Sequence, residues 1–247
     1  MTRVLALVPA HNEAASLAAV VAELREARSD LDILIVDDGS TDGTAELLQR
    51  LDVRSLRCAE RIGVGGAVRA GLRCAAQRQY DVVVRLDGDG QHRAADIARL
   101  LTPIEGGRAD VVLGSRYLEP PLERGGLARA TTRLLASCLS TCVGETVTDP
   151  TSGFYALGRD AIRMLAEHHP PGYPEPELRL LLSRSALRVV EMPVSARPRL
   201  TGRSSLTPRL LVSAAARVAL ALVVFPFKTR VEIPQVASAS GPNRPAK

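Results

Sequence analysis

The chain has no tryptophan, three phenylalanines and four tyrosines in 247 residues. So few rings cannot build the stacking platform that single-stranded nucleic acid needs, and nucleic acid is set aside as a partner. Its cysteines (Cys58, Cys74, Cys138 and Cys142) form no CxxC pair, and no histidine stands at metal spacing from them. They read as reduced, partly buried thiols of a cytosolic protein. Long apolar runs are also scarce. The first, residues 4–8, is short and meets Pro9, so no signal peptide is expected. The longest, residues 210–225, is broken by Ser213 and Arg217 and stopped by Pro226. A bilayer crossing takes about 20 apolar residues, and a central Arg costs about 2.5–3.5 kcal/mol. The segment therefore reads as a helix packed on the protein or lying in a lipid interface.

What is present is an ordinary globular balance, 46% hydrophobic and 24% charged, with a formal net charge of +5. The excess of positive charge points to anionic small ligands or an anionic membrane surface, although a solvated basic face with no partner accounts for it equally well. Short, mostly apolar runs at 4–8, 33–36, 82–86 and 111–113, with a further expected strand around 53–58, alternate with segments of helical periodicity. That alternation predicts an α/β protein with a mostly parallel sheet flanked by helices, whose ligand site lies beyond the C-terminal strand ends.

Those ends carry the chemistry. The central run Val82-Val83-Val84-Arg85-Leu86 closes on Asp87-Gly88-Asp89-Gly90-Gln91-His92. Carboxylates two residues apart on extended backbone project to one side and suit a hard divalent cation such as Mg²⁺ or Mn²⁺. A polar turn after a strand is the plainer alternative. Glu13 follows the first strand, Asp37 and Asp38 the second, and Ser115-Arg116 the fifth. Acidic groups suit the donors of a nucleoside, and an arginine facing a metal suits a pyrophosphate between them. The glycines at 63, 65 and 66 could let a helix N-terminus near an anion, but they do not complete GxGxxG and are assigned to tight helix-to-sheet packing. A dinucleotide-binding domain would carry its glycine-rich turn after the first strand, where Pro9-Ala10-His11-Asn12-Glu13 stands instead.

This ordered set, with Gly114-Ser115-Arg116-Tyr117 and Asp149-Pro150-Thr151-Ser152-Gly153-Phe154, resembles glycosyltransferase family 2, and within it the polyprenyl-phosphate glycosyltransferases. The resemblance spans about residues 3–206. It implies a GT-A fold and an inverting, metal-dependent transfer from a GDP- or UDP-sugar, with a polyprenyl phosphate as acceptor. On that basis Asp89 and Gln91 would hold Mg²⁺ or Mn²⁺, with Asp87 supporting the donor. Pro9, Glu13, Asp37 and Asp38 would hold the nucleoside, and Arg116 would meet phosphate. Were the acceptor a sugar hydroxyl, Asp149 would be the candidate base. A non-catalytic nucleotide-sugar-binding protein is the remaining alternative.

Further along, Arg129 and Arg133 lie one turn apart in a helical segment and are candidates for an acceptor phosphate, against solvated helix charges. Glu175 and Glu177 open a later helix, where acidic residues favour the N-terminus electrostatically. The stretch 197–205 gathers three arginines and two serines around Gly202; Arg199 and Arg203, supported by Ser204 and Ser205, are expected to clamp phosphates. The expected organisation is a GT-A domain at 1–206, an apolar amphipathic helix at 207–230 and a disordered tail at 231–247. The expected location is cytoplasmic, with peripheral contact at the inner face of the cell membrane, directly or through a membrane-protein partner.

Overall fold

The computed structural model describes residues 2–118, 127–171, 174–195 and 197–198. The expected C-terminal helix and tail, and the candidates Arg199, Arg203, Ser204 and Ser205, lie outside the described residues. So does the side chain of Arg129.

Chain order runs β1 (Val4–Ala10), α1 (Leu17–Ala27), β2 (Asp32–Asp37), α2 (Thr44–Arg50), β3 (Arg54–Arg57), α3 (Val64–Gln77) and β4 (Val82–Arg85). Then follow α4 (Ile97–Glu105), β5 (Val111–Ser115), α5 (Leu127–Val143), β6 (Tyr155–Gly158), α6 (Arg159–His168), α7 (Pro174–Leu182) and β7 (Val189–Pro193). Among the described residues the strands form one seven-stranded sheet in the order β3-β2-β1-β4-β6-β5-β7. Strand alternation divides the core into two layers. Val4, Ala6, Val8, Val82, Val84 and Leu86 pack on α1 and α4, while Leu5, Leu7, Val83 and Leu157 pack on α3 and α6.

The helices begin and end where backbone groups find partners. α1 follows a turn in which Ser16 and Leu17 donate their N–H groups to the Glu13 carbonyl. Asp42 Oδ1 accepts the Thr44 N–H at 2.9 Å at the start of α2. The glycines expected to pack a helix on the sheet do not meet it: Gly63 and Gly65 face the Pro170-Pro171 backbone and Gly66 faces Ile62, whereas Gly71, not among them, meets β1. A Cβ on Gly71 would lie 2.2 Å from Leu7 Cδ1 in β1, and one on Gly65 would lie 2.2 Å from the Pro170 carbonyl oxygen.

One strand breaks the parallel pattern. β6 runs antiparallel to both its neighbours, with Arg85 and Leu113 each facing Tyr155. Its N-terminal end therefore lies beside the C-terminal ends of β4 and β5, which brings the turn at 149–154 to the chemical edge of the sheet. Gly114 donates its N–H to the Phe154 carbonyl at 2.7 Å and pins that turn.

Replacing Gly65 or Gly71 by alanine separates packing from helix preference. Alanine is the better helix former by about 1 kcal/mol, yet overpacking costs about 1–3 kcal/mol. Gly65→Ala is expected to lower Tm by several degrees in a thermal melt, and Gly71→Ala by less, since a leucine methyl can turn aside where a carbonyl cannot. Equal shifts would show that α3 is free to move as a body.

Candidate active site

The first two strand ends are tied into one rim. Asn12, at φ 57°, donates its N–H to Ser40 Oγ at 2.9 Å and accepts the Thr41 N–H on Oδ1 at 2.8 Å. Glu13 donates its N–H to Thr44 Oγ1, and its Oε2 accepts from Ser16 Oγ at 2.9 Å. Ser16 Oγ also lies 2.7 Å from the Gly88 carbonyl, joining this rim to the turn after β4. Pro9 is buried within β1, opposite Val36.

Asp37 and Asp38 are both buried, and each has local work. Asp37 Oδ1 accepts the Ser40 N–H at 2.9 Å, closing the turn, while Arg57 Nε lies 3.6 Å from its Oδ2. Asp38 Oδ1 accepts the Ile62 N–H at 2.6 Å, and the Asp38 carbonyl lies 2.7 Å from His11 Nδ1. Asp38 thus ties the end of β2 to the loop that opens α3, while Asp37 closes its own turn beside β3.

After β4 the two carboxylates part company. Asp87 Oδ1 pairs with Arg85 Nη2 at 2.7 Å, and the Asp87 N–H donates to His92 Nδ1 at 3.1 Å. His92 therefore carries its proton on Nε2, and its ring stacks on Phe154 with centroids 4.9 Å apart. Burial pushes the His92 pKa down to about 4, which keeps the ring neutral. Asp89, also buried, accepts the Gln91 N–H on Oδ1 at 2.9 Å. No three His, Cys, Asp or Glu among the described residues converge as a metal centre. Asp89 and Gln91 carry side-chain oxygens, the donor type that Mg²⁺ or Mn²⁺ takes beside water and phosphate.

The turn before β6 meets the end of β5. Arg116 grips Asp149 as a fork, with Nε 2.6 Å from Oδ2 and Nη2 2.8 Å from Oδ1, and donates also to Thr151 Oγ1 at 2.8 Å. Burial would raise the Asp149 pKa, but the guanidinium outweighs it and holds the carboxyl below the usual range. A carboxylate so engaged is a poor proton acceptor, which speaks against Asp149 as a base. Behind the fork, Ser115 Oγ lies 2.5 Å from Thr148 Oγ1, Glu191 Oε2 accepts the Thr148 N–H at 3.0 Å, and Arg179 approaches Glu191 to 4.0 Å.

Two side chains had no local signal in the sequence. Arg85 stood within the central run with no role, and Glu175 looked like an ordinary helix-start residue, yet Glu175 Oε1 lies 3.7 Å from Arg85 Nη1. Burial raises the Glu175 pKa against the pull of Arg85. Arg197, counted with the expected clamp, instead anchors the chain: its N–H donates to the Gln91 carbonyl at 3.1 Å, its Nε to the Gly90 carbonyl, and its Nη2 to Glu23. Of the other candidates, Arg133 is exposed on α5 and Glu177 stands in the first turn of α7.

A glycosyltransferase family 2 model matches residues 6–134. An undecaprenyl-phosphate mannosyltransferase of Micrococcus luteus is 32% identical over 87% of this chain and 92% of its own length. The chain belongs to glycosyltransferase family 2. It is a glycosyltransferase with the GT-A fold. A polyprenol monophosphomannose synthase of Mycolicibacterium smegmatis is 30% identical over 88% of this chain and 86% of its own. At the same identity, over 76% of this chain and 83% of its own, stands a UDP-N-acetylglucosamine–dolichyl-phosphate N-acetylglucosaminyltransferase of Methanococcus voltae. The fold is also that of a glucosyl-3-phosphoglycerate synthase from Mycobacterium tuberculosis, solved with Mn²⁺, UDP-glucose and phosphoglyceric acid. That likeness has a TM-score of 0.68 at 22% identity, over 91% of this chain and 79% of the other. Among the described residues of this glycosyltransferase, no helix is long and apolar enough to cross a membrane.

His169 is buried like His92; burial pushes its pKa down to about 4, with Tyr155 Oη 3.2 Å from its Nε2. An unfolded histidine takes up its proton near pH 6.5, so stability is full above that pH and falls toward pH 4, by on the order of 3 kcal/mol for each ring. Urea unfolding at pH 7.5 and pH 5 should show this fall in wild type and a smaller one in His169→Gln. An unchanged pH dependence in the variant would show that His169 takes up a proton without cost.

Proposed function

We propose that the enzyme transfers a sugar, with inversion, from a nucleoside diphosphate sugar to a polyprenyl phosphate in a reaction dependent on Mg²⁺ or Mn²⁺. The observation that carries the acceptor class is the Arg116–Asp149 fork. A hydroxyl nucleophile needs a base, and the best-placed carboxylate is committed to a guanidinium. A phosphate is already an anion and needs none. The relatives whose names include undecaprenyl phosphate and dolichyl phosphate support the same class.

Each group then has a task. The rim built from Pro9, Glu13, Asp37 and Asp38 receives the nucleoside, and Asp87 supports the donor. Asp89 and Gln91 hold the cation, which when bound would offset charge on the departing diphosphate. Arg116, held by Asp149 and Thr151, presents positive charge beside the same place without having to reorganise during reaction. The clamp expected of Arg199, Arg203 and Ser204 would add to it: Arg197 secures the preceding residues to the Gly90-Gln91 turn. The lipid acceptor implies peripheral work at the inner membrane face, aided by the basic surface or the apolar segment at 210–225.

The experiment is release of nucleoside diphosphate from GDP- and UDP-sugars with Mg²⁺ or Mn²⁺, with and without polyprenyl phosphate. Turnover is expected to need the lipid phosphate and to disappear with EDTA or in Asp89→Ala. Asp149→Asn should lose roughly tenfold or more in rate while keeping the wild-type pH–rate shape, as a positioning group would. Turnover only with hydroxyl acceptors, with the basic limb lost in Asp149→Asn, would overturn the phosphate reading.

A further inference from the structure

Arg85 is the largest fully buried side chain among the described residues, only 2% exposed. Strand alternation puts it on the β4 face where Val83 packs against α3 and α6, and puts Asp87 next on that face. A guanidinium there loses its water and must be repaid by neighbours. They come from three separate places. Asp87 Oδ1 lies 2.7 Å from Nη2, the Gly153 carbonyl accepts from Nη1, and Glu175 Oε1 stands 3.7 Å from Nη1. The guanidinium also lies 5.8 Å from the centre of the Tyr155 ring.

The asymmetry of the two carboxylates is informative. If Arg85 served only the interior, its close partner would be Glu175, whose side chain is 12% exposed. Instead the close bond goes to Asp87, 34% exposed and open to the site. Asp87 is then held at both ends, its N–H on His92 Nδ1 and its carboxylate on Arg85. Gly153 is part of the device, because a Cβ there would fall 1.5 Å from Arg85 Nη1.

We propose that Arg85, braced by Glu175 and the Gly153 carbonyl, is the positioning residue that aims the Asp87 carboxylate at the donor. The inference rests on the donor role given to Asp87 above. Without Arg85, Asp87 and Glu175 repel one another and Asp87 turns away from its working rotamer. A misplacement of about 1 Å at such a group costs on the order of 100-fold.

The test uses the full chain and a nucleotide sugar that wild type turns over, with donor and acceptor varied separately and folding checked by thermal melts. Arg85→Gln should lower kcat/KM for the donor by about 100-fold through donor KM, leaving acceptor KM in place. Arg85→Lys, which keeps the charge but not the fork, should fall between. Gly153→Ala should copy Arg85→Gln although Arg85 is intact, and serves if Arg85→Gln does not fold. The double variant Arg85→Gln, Glu175→Gln should recover about tenfold over Arg85→Gln by removing an unpaired charge. An unchanged donor KM in folded Arg85→Gln or Gly153→Ala, or equal loss toward donor and acceptor, overturns the positioning role alone. Absence of any donor binding or turnover by wild type overturns the functional reading and this inference together.

Discussion

A cation buried at the end of the central strand has to be neutralised by whatever can reach it, and in this enzyme the groups that reach Arg85 come from far apart in sequence. Asp87 follows just after β4, Gly153 belongs to the turn before β6, and Glu175 stands in the first turn of α7. Three pieces of chain are thereby drawn to one point beneath the site. Without the pairing, the interior would hold an ion with no water, a cost of several kcal/mol. The pairing therefore ties the position of α7 and of the 149–154 turn to the Asp87 carboxylate.

The antiparallel placement of β6 makes this possible. A parallel strand between β4 and β5 would start at the opposite edge of the sheet and carry its preceding turn away from the site. Because β6 runs the other way, one short turn supplies Asp149 to Arg116, Gly153 to Arg85, and Phe154 to the His92 ring. Each of these contacts holds a charged or polar group still at a strand end. The result is a site whose polar side chains are held before any ligand arrives, the condition under which electrostatic stabilisation costs least.

Much of the architecture was legible from periodicity. The strands before Asp37, Asp87 and Ser115 are apolar runs buried on both faces, and such runs announce themselves without tertiary knowledge. The ordered motifs announced the family as well, because each stands at a strand end where a ligand site belongs. The roles of single residues were harder to see. Glu175 in the first turn of a helix has a sufficient local explanation, so its aim at Arg85 leaves no trace in the sequence. Asp149 in an Asp-Pro-Thr turn looks like an available base until Arg116 is found on both its oxygens. The reason is the same in both cases. A carboxylate's chemistry depends on charges within a few ångströms, and these neighbours lie 90 and 33 residues away in the chain.

The amino-acid sequence by itself determined the alternation of strand and helix, the edge of the sheet at which chemistry gathers, and the family to which the chain belongs. These follow from local patterns: apolar spacing, glycines at close approaches and acidic residues after buried strands. Tertiary structure alone decided that β6 is antiparallel, that Arg116 and Asp149 act as one unit, and that Arg85 shares its charge between Asp87 and Glu175. Strand direction depends on where the chain can return after α5, and ion pairing depends on which charges are desolvated together. Both are properties of contacts between distant segments.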